Sequence, residues 1–118
     1  MTTEIDKYNE DGTKIIGTEK VKVYGLVRYL GDSCASFENG KTYCVVGIEG
    51  VILRVVDEDD AYLYSFSNPT INFKNNKGEP INGRFEVVDD FTKNGALKAL
   101  ETDKIPSTRI GIGLDQIV

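Results

Sequence analysis

Alternation of apolar and polar residues dominates the middle of this 118-residue chain, and a period of two marks half-buried strands. In VKVYGLVRYL, residues 21–30, Val21, Val23, Val27 and Tyr29 share one face, with Lys22 and Arg28 on the other. Gly25 interrupts this strand where a small barrel would need a bulge or a corner. A second strand runs from Thr42 to Glu49 and ends in a glycine-flanked reversal, Gly47-Ile48-Glu49-Gly50. Residues 51–56 are apolar on both faces except for Arg54, which predicts a strand covered on both sides. Asp57-Glu58-Asp59-Asp60 turns that strand back into Tyr62-Leu63-Tyr64-Ser65-Phe66. These three strands are expected in the middle of the sheet. With Leu63 directed into the barrel, Tyr62, Tyr64 and Phe66 would face outward, covered by the first twenty residues or by the C-terminal helix.

The flanks are less regular. Residues 1–20 read as an arm: Tyr8 to Lys14 is turn chemistry, and Ile15-Ile16 suffices only for an edge strand. Residues 31–41 form a polar loop with Phe37 as its one anchor, closed by Asn39-Gly40. Beyond Pro69, the hydrophilic tip at residues 74–80 predicts a hairpin or long loop projecting from the body. Residues 83–89 return as a half-buried strand in which Phe85 and Val87 alternate with Glu86. The helical signal is confined to residues 92–101, with Ala96, Leu97, Ala99 and Leu100 in a cluster, and Pro106 stops it. Ile110, Ile112 and Leu114 then alternate in a closing strand over residues 109–118. The expectation is a mainly β single domain of five to six strands. It comprises an arm (1–20), a barrel (21–91) with an inserted hairpin (67–83), and a short helix and strand packed on it (92–118).

Charge narrows the list of partners. Nineteen acidic residues against fourteen basic ones leave a net charge of −5, which disfavours a phosphate backbone. Four of the acids are consecutive, at residues 57–60. A nucleic-acid-binding barrel is therefore a distant alternative. No apolar run reaches the length of a membrane span and no signal peptide pattern opens the chain, so no membrane partner and a cytoplasmic location are expected.

Catalytic chemistry finds little support. There is no histidine, which excludes Ser-His, Cys-His and His-metal sites. The carboxylates of Asp57, Glu58, Asp59 and Asp60 sit on a tight reversal whose alternation points them apart into water. A general acid–base pair needs facing groups in a cleft. A calcium loop would need a glycine and a terminal glutamate that are missing here. Cys34 and Cys44 match no zinc or redox spacing. They read as structural thiols, although a disulfide between them would close a small loop in an oxidising compartment. Gly111-Ile112-Gly113 is half a dinucleotide fingerprint without the third glycine or the helix. No enzyme activity, cofactor or metal is expected.

The phrases Gly-Lys-x-Tyr, Gly-Ile-Glu, Arg-Val-Val-Asp-Glu and Tyr-Leu-Tyr within residues 40–66, with Phe-Glu-Val-Val at residues 85–88, carry a resemblance. Together they resemble a group of small uncharacterised bacterial and phage-associated proteins. The resemblance spans residues 40–66 and 85–90 and implies an SH3-like β-barrel, with no activity attached. The chain departs from that group by its excursion at residues 67–83 and by everything after Asp90. Additions of this kind are where function is grafted on a scaffold.

Two functional expectations follow. The first is a non-enzymatic protein-binding module, in its sharper form an inhibitor or immunity-type protein of a phage or mobile element. It would block a basic surface of its target with Asp57, Glu58, Asp59, Asp60, Glu86, Asp89 and Asp90, beside an aromatic stripe of Tyr62, Tyr64 and Phe66. The second is a structural or assembly subunit that oligomerises through edge strands and residues 109–118.

Overall fold

The computed structural model describes residues 1–102 and 109–110. Among the described residues, eight strands form two antiparallel sheets. The smaller is a ribbon of β1 (Thr2–Tyr8) and β2 (Ile15–Lys22). The larger contains β3 (Gly25–Gly31), β4 (Thr42–Glu49), β5 (Ile52–Val56), β6 (Ala61–Ser65) and β7 (Gly83–Asp90), in the order β6-β5-β4-β3-β7. A two-residue strand, β8 (Arg109–Ile110), pairs with the end of β4. Among the described residues no hydrogen-bonded ladder joins β6 to β7, so the expected barrel is an open sheet. Nor does any described helix have the length and apolarity to cross a membrane.

The sheet curls around one ring. Phe37, carried by the polar loop between β3 and β4, is fully buried. Its ring stacks on Tyr29 at 5.0 Å and meets Tyr43, Tyr64 and Phe85 edge-on at 4.7–5.3 Å. Tyr64 and Phe85 belong to opposite edge strands, so both edges close on the same side chain. Such edge-to-face pairs add about 0.5–1.5 kcal/mol each beyond area burial. The loop that delivers Phe37 is itself tied down. Cys34 N–H donates to the Phe37 carbonyl (2.8 Å), Gly31 N–H to Asn39 Oδ1 (3.0 Å), and Tyr29 hydroxyl to the Asp32 carbonyl (2.6 Å). Cys34 and Cys44 are both free thiols, and burial pushes the Cys44 thiol up.

Local geometry explains the irregular strands. The β4–β5 register slips between Val45 and Gly47, so Val45, Val46 and Ile48 are all buried despite the period of two. A second slip, between Leu26 and Val27, bends β3 against β7. Gly25 precedes it where a Cβ would lie 2.3 Å from Leu97 Cδ2 and 2.6 Å from the Asp89 carbonyl oxygen. The expected interruption at Gly25 is thus a close approach of backbone to side chain.

Several expectations are corrected. The arm is a hairpin ribbon, and Ile15-Ile16 opens an eight-residue strand. The strand expected over residues 21–30 divides at Val23-Tyr24, leaving Val21 in the ribbon and Val27 and Tyr29 in the core. Of the three strands expected at the centre of the sheet, 62–66 is its edge. The helix expected over 92–101 is a series of turns ending in a 3-10 turn, Lys98–Thr102. Asp90 competes for the backbone there: its carboxylate accepts from Thr92 N–H and Lys98 N–H, both at 2.9 Å. Residues 67–83 form turns with one bridge, Lys74 to Pro80, and Thr70 Oγ1 donates to the Ile81 carbonyl at 2.9 Å. Of the closing strand, Arg109 and Ile110 are described; Pro106 and residues 111–118, with Gly111-Ile112-Gly113, lie outside the described residues.

Candidate functional site

The acidic turn between β5 and β6 is built by tyrosines. Asp57 Oδ1 accepts from Asp59 N–H (2.7 Å) and Asp60 N–H (2.8 Å), the side-chain-to-backbone pattern that Asp uses to fix a reversal. Its Oδ2 accepts from the Tyr64 hydroxyl. Asp60 Oδ2 accepts from the Tyr8 hydroxyl at 2.7 Å, a bond between residues 52 apart that moors the ribbon to the sheet. Glu58 accepts from the Tyr43 hydroxyl at 2.6 Å and pairs with Lys41 Nζ at 2.7 Å. Three phenols from three strands thus converge on three of the four carboxylates.

Titration follows this bonding. Lys41, then Tyr43, holds the Glu58 carboxyl below its usual range, while Glu58 raises the Lys41 ammonium. The hydrogen bond to Asp60 pushes the Tyr8 phenol up to about 12. Burial, then the bonds to Glu58 and Asp57, raises Tyr43 and Tyr64. All three phenols therefore stay protonated as donors at neutral pH.

This corrects the expectation that the acids point apart into water. Asp57 and Asp60 are buried, and alternation fails because the residues stand in a turn rather than a strand. The aromatic stripe is corrected too. Leu63 is 57% exposed, whereas Phe66 is buried and Tyr64 packs on the core cluster. Period two fixes that Tyr62, Tyr64 and Phe66 share a face, and the Phe37 ring makes that face the inner one. Tyr62, at the start of β6, extends past the core and stays exposed.

Exposed Asp59 and Tyr62 adjoin a cleft of about 400 Å³ where the ribbon meets β5 and β6, lined by Asp6, Tyr8, Arg54, Asp60, Ala61 and Tyr62. Glu86 belongs elsewhere: on β7 it pairs with Arg28 at 3.0 Å. Asp89 and Asp90 end that strand, with Asp90 given over to the following turn. Sequence reasoning missed Tyr8, Lys41 and Tyr43. Counting the β4–β5 register back from the Gly50 reversal places Tyr43 near residue 57, a signal present in the chain. Nothing local announces Tyr8.

Among the described residues no three His, Cys, Asp or Glu side chains are grouped to hold a metal ion. The carboxylates of Asp57 and Asp60 are already acceptors, from Asp59 and Asp60 N–H and from the Tyr64 and Tyr8 hydroxyls. Compared with family models, curated proteins and solved structures, the chain matches none.

Proposed function

We propose that the chain is a non-enzymatic protein-binding module that presents the cleft between ribbon and sheet to a basic segment of a partner. The observation that carries this reading is the cleft's wall. Asp6 and Asp60 supply negative charge, and Tyr8 and Tyr62 supply half-exposed rings that bury area at little side-chain entropy cost. A lysine or arginine side chain suits that combination through carboxylate pairing and cation–π contact. Arg54 in the same wall selects against a second cation beside the first. In this reading the scaffold is an SH3-like barrel, opened along β6 and β7. Its support is a meander β3-β4-β5-β6 whose fifth strand, β7, returns to pair with β3. With the resemblance at residues 40–66 and 85–90, the sharper form is an inhibitor or immunity-type protein of a phage or mobile element that masks a basic surface.

Because Asp57 and Asp60 hold the turn together, the test uses Asp6 and the exposed Asp59. Immobilised wild-type chain and the D6K/D59K double variant are challenged with the same cell lysate. Capture of a basic protein by wild type, reduced about tenfold or more in the variant, supports the reading. Equal capture by both sinks it.

A second reading, an assembly subunit joined through edge strands, rests on Ile15, Ile16 and Leu63. These apolar side chains are 52%, 58% and 57% exposed on strands β2 and β6. A clean monomer at tens of micromolar concentration counts against it. A nucleic-acid role, the remaining alternative, predicts retention of an oligonucleotide at low salt.

A further inference from the structure

A second cleft, of about 320 Å³, has the opposite character. It is lined by Lys22 at the end of β2, Tyr24 in the link to β3, Phe91 and Lys93 after β7, Asn94, and Ile110 of β8. No acidic residue lines it among the described residues, in a chain whose acids outnumber its bases by nineteen to fourteen. Its floor is covalently and hydrogen-bonded framework. Phe91 N–H donates to the Tyr24 carbonyl (2.9 Å), and Tyr24 N–H donates to the Val45 carbonyl (2.8 Å). The wall at residues 91–94 is braced from behind. Asp90 Oδ1 accepts from Thr92 N–H, Asp90 Oδ2 accepts from Lys98 N–H, and Thr92 Oγ1 accepts from Ala96 N–H (2.9 Å). A site held this way is preorganised and loses little entropy on binding.

We propose that this cleft binds a small aromatic carboxylate. The volume lies at the lower end of small-molecule pockets, which run from about 300 to 1,000 Å³. It suits one or two fused rings with a short acidic tail. Phe91 is 43% exposed and lines the cleft together with Tyr24 and Ile110, apolar surface against which an aromatic ligand packs. The Lys22 ammonium lies over the Tyr24 ring, 5.5 Å from its centroid, and as part of the cleft's lining is a cation for a ligand carboxylate. Lys93 offers a second cation, and Asn94 an amide donor. One negative charge is the chemistry favoured. A polyanion would meet the field of a chain of net charge −5, whereas a single carboxylate meets the two local lysines.

The test is a titration of isotopically labelled full-length chain, followed by amide chemical shifts, with indole-3-acetate and with its neutral counterpart indole-3-ethanol. Indole-3-acetate is expected to saturate with a Kd of roughly 1 mM or below, moving amides 22–24, 91–94 and 110. Indole-3-ethanol is expected to bind about fivefold more weakly, the size of one exposed charge contact. In the K22Q/K93Q variant the acid falls to the level of the alcohol, and the alcohol is unchanged. Phe91→Ala weakens both. All the altered side chains are on the surface, so an unchanged spectrum away from the cleft verifies the fold. Absence of saturable shifts at about 10 mM, equal affinity for acid and alcohol, or shifts centred elsewhere overturns the proposal. Tighter occupation of the same residues by a hexathymidylate than by indole-3-acetate overturns it in favour of single-stranded nucleic acid. None of these outcomes touches the acidic cleft, whose residues are different.

Discussion

The β1–β2 ribbon and the curled sheet are made from similar strand lengths and stand in different energetic worlds. In the sheet, Val27 and Tyr29 of β3, Tyr43, Val45 and Ile48 of β4, Leu53 and Val55 of β5, and Phe85 and Val87 of β7 all belong to the cluster around Phe37. Along β2, Val21 is half-buried and every other residue is exposed, while β1 buries only Ile5. A two-stranded ribbon alone is marginal in water. Here its tethers are the buried Ile5 and the Tyr8–Asp60 bond at 2.7 Å. Strand geometry is common to both regions. Stability comes from what the strands bury, so one chain carries a cooperative body and a loosely moored attachment.

The largest contrast is set by Phe37. Phe37→Ala is expected to cost about 3–5 kcal/mol, since four rings lose their common partner. Ile16→Ala in the ribbon should stay within about 0.5 kcal/mol of wild type. Urea denaturation of both variants measures the gap, and similar losses would erase the distinction between the two regions. Ile5→Ala should come next, at about 2 kcal/mol or more locally. Its signature is unprotected ribbon amides in hydrogen exchange with the sheet amides still protected. Loss of protection in both together would show one cooperative unit instead.

Acid reaches the sheet's end through Asp90. Bonds from Thr92 and Lys98 lower its carboxyl below the ordinary value of 3.8 even though burial opposes them. A group depressed in the folded state contributes stability that is present above the unfolded value and lost as pH falls through the folded one. The denaturation midpoint of wild type should therefore fall below about pH 4, and Asp90→Asn should flatten that part of the profile. An equally steep profile in the variant would assign the effect to other carboxylates. The smallest effect belongs to Tyr8→Phe, which should speed exchange of ribbon amides and leave the sheet unchanged. The Tyr8 phenol is raised from 10.0 to about 12, so its contribution is complete below pH 10 and lost as pH rises through about 12. Ribbon amides of wild type should lose protection over that interval, and those of the Phe variant should show no such step.

How much could be read beforehand depended on where each constraint originates. The strand Thr42–Glu49 was legible to the residue because an apolar run stands there between the reversals at Asn39-Gly40 and Gly50, and Phe37 stood out as the one large apolar side chain of a polar loop. The ribbon was not legible: Gly17-Thr18-Glu19-Lys20 is exposed throughout, and a strand wet on both faces has no period to display. The side of β6 that turns inward was equally hidden, since Phe37 decides it from a distant loop. The acidic residues were found, yet their bonds come from Tyr8, Tyr43 and Tyr64, up to 52 residues away. The expected helix failed for a local reason, the hold that Asp90 takes on the amides of Thr92 and Lys98.

The span of the Tyr8–Asp60 bond also sets an order of events at the ribosome. The ribbon is made first, and its mooring post Asp60 follows 38 residues after the ribbon ends at Lys22. At about 5–20 residues per second that is a wait of about 2–8 s. Throughout it, Ile15 and Ile16 lie open to any nascent neighbour. Lys14 precedes those isoleucines in the turn and Lys7, Glu19 and Lys20 stand on the two strands, and charges so placed keep foreign strands from adding to the edge. The polarity that makes this segment illegible as a strand is thus what guards it while it waits.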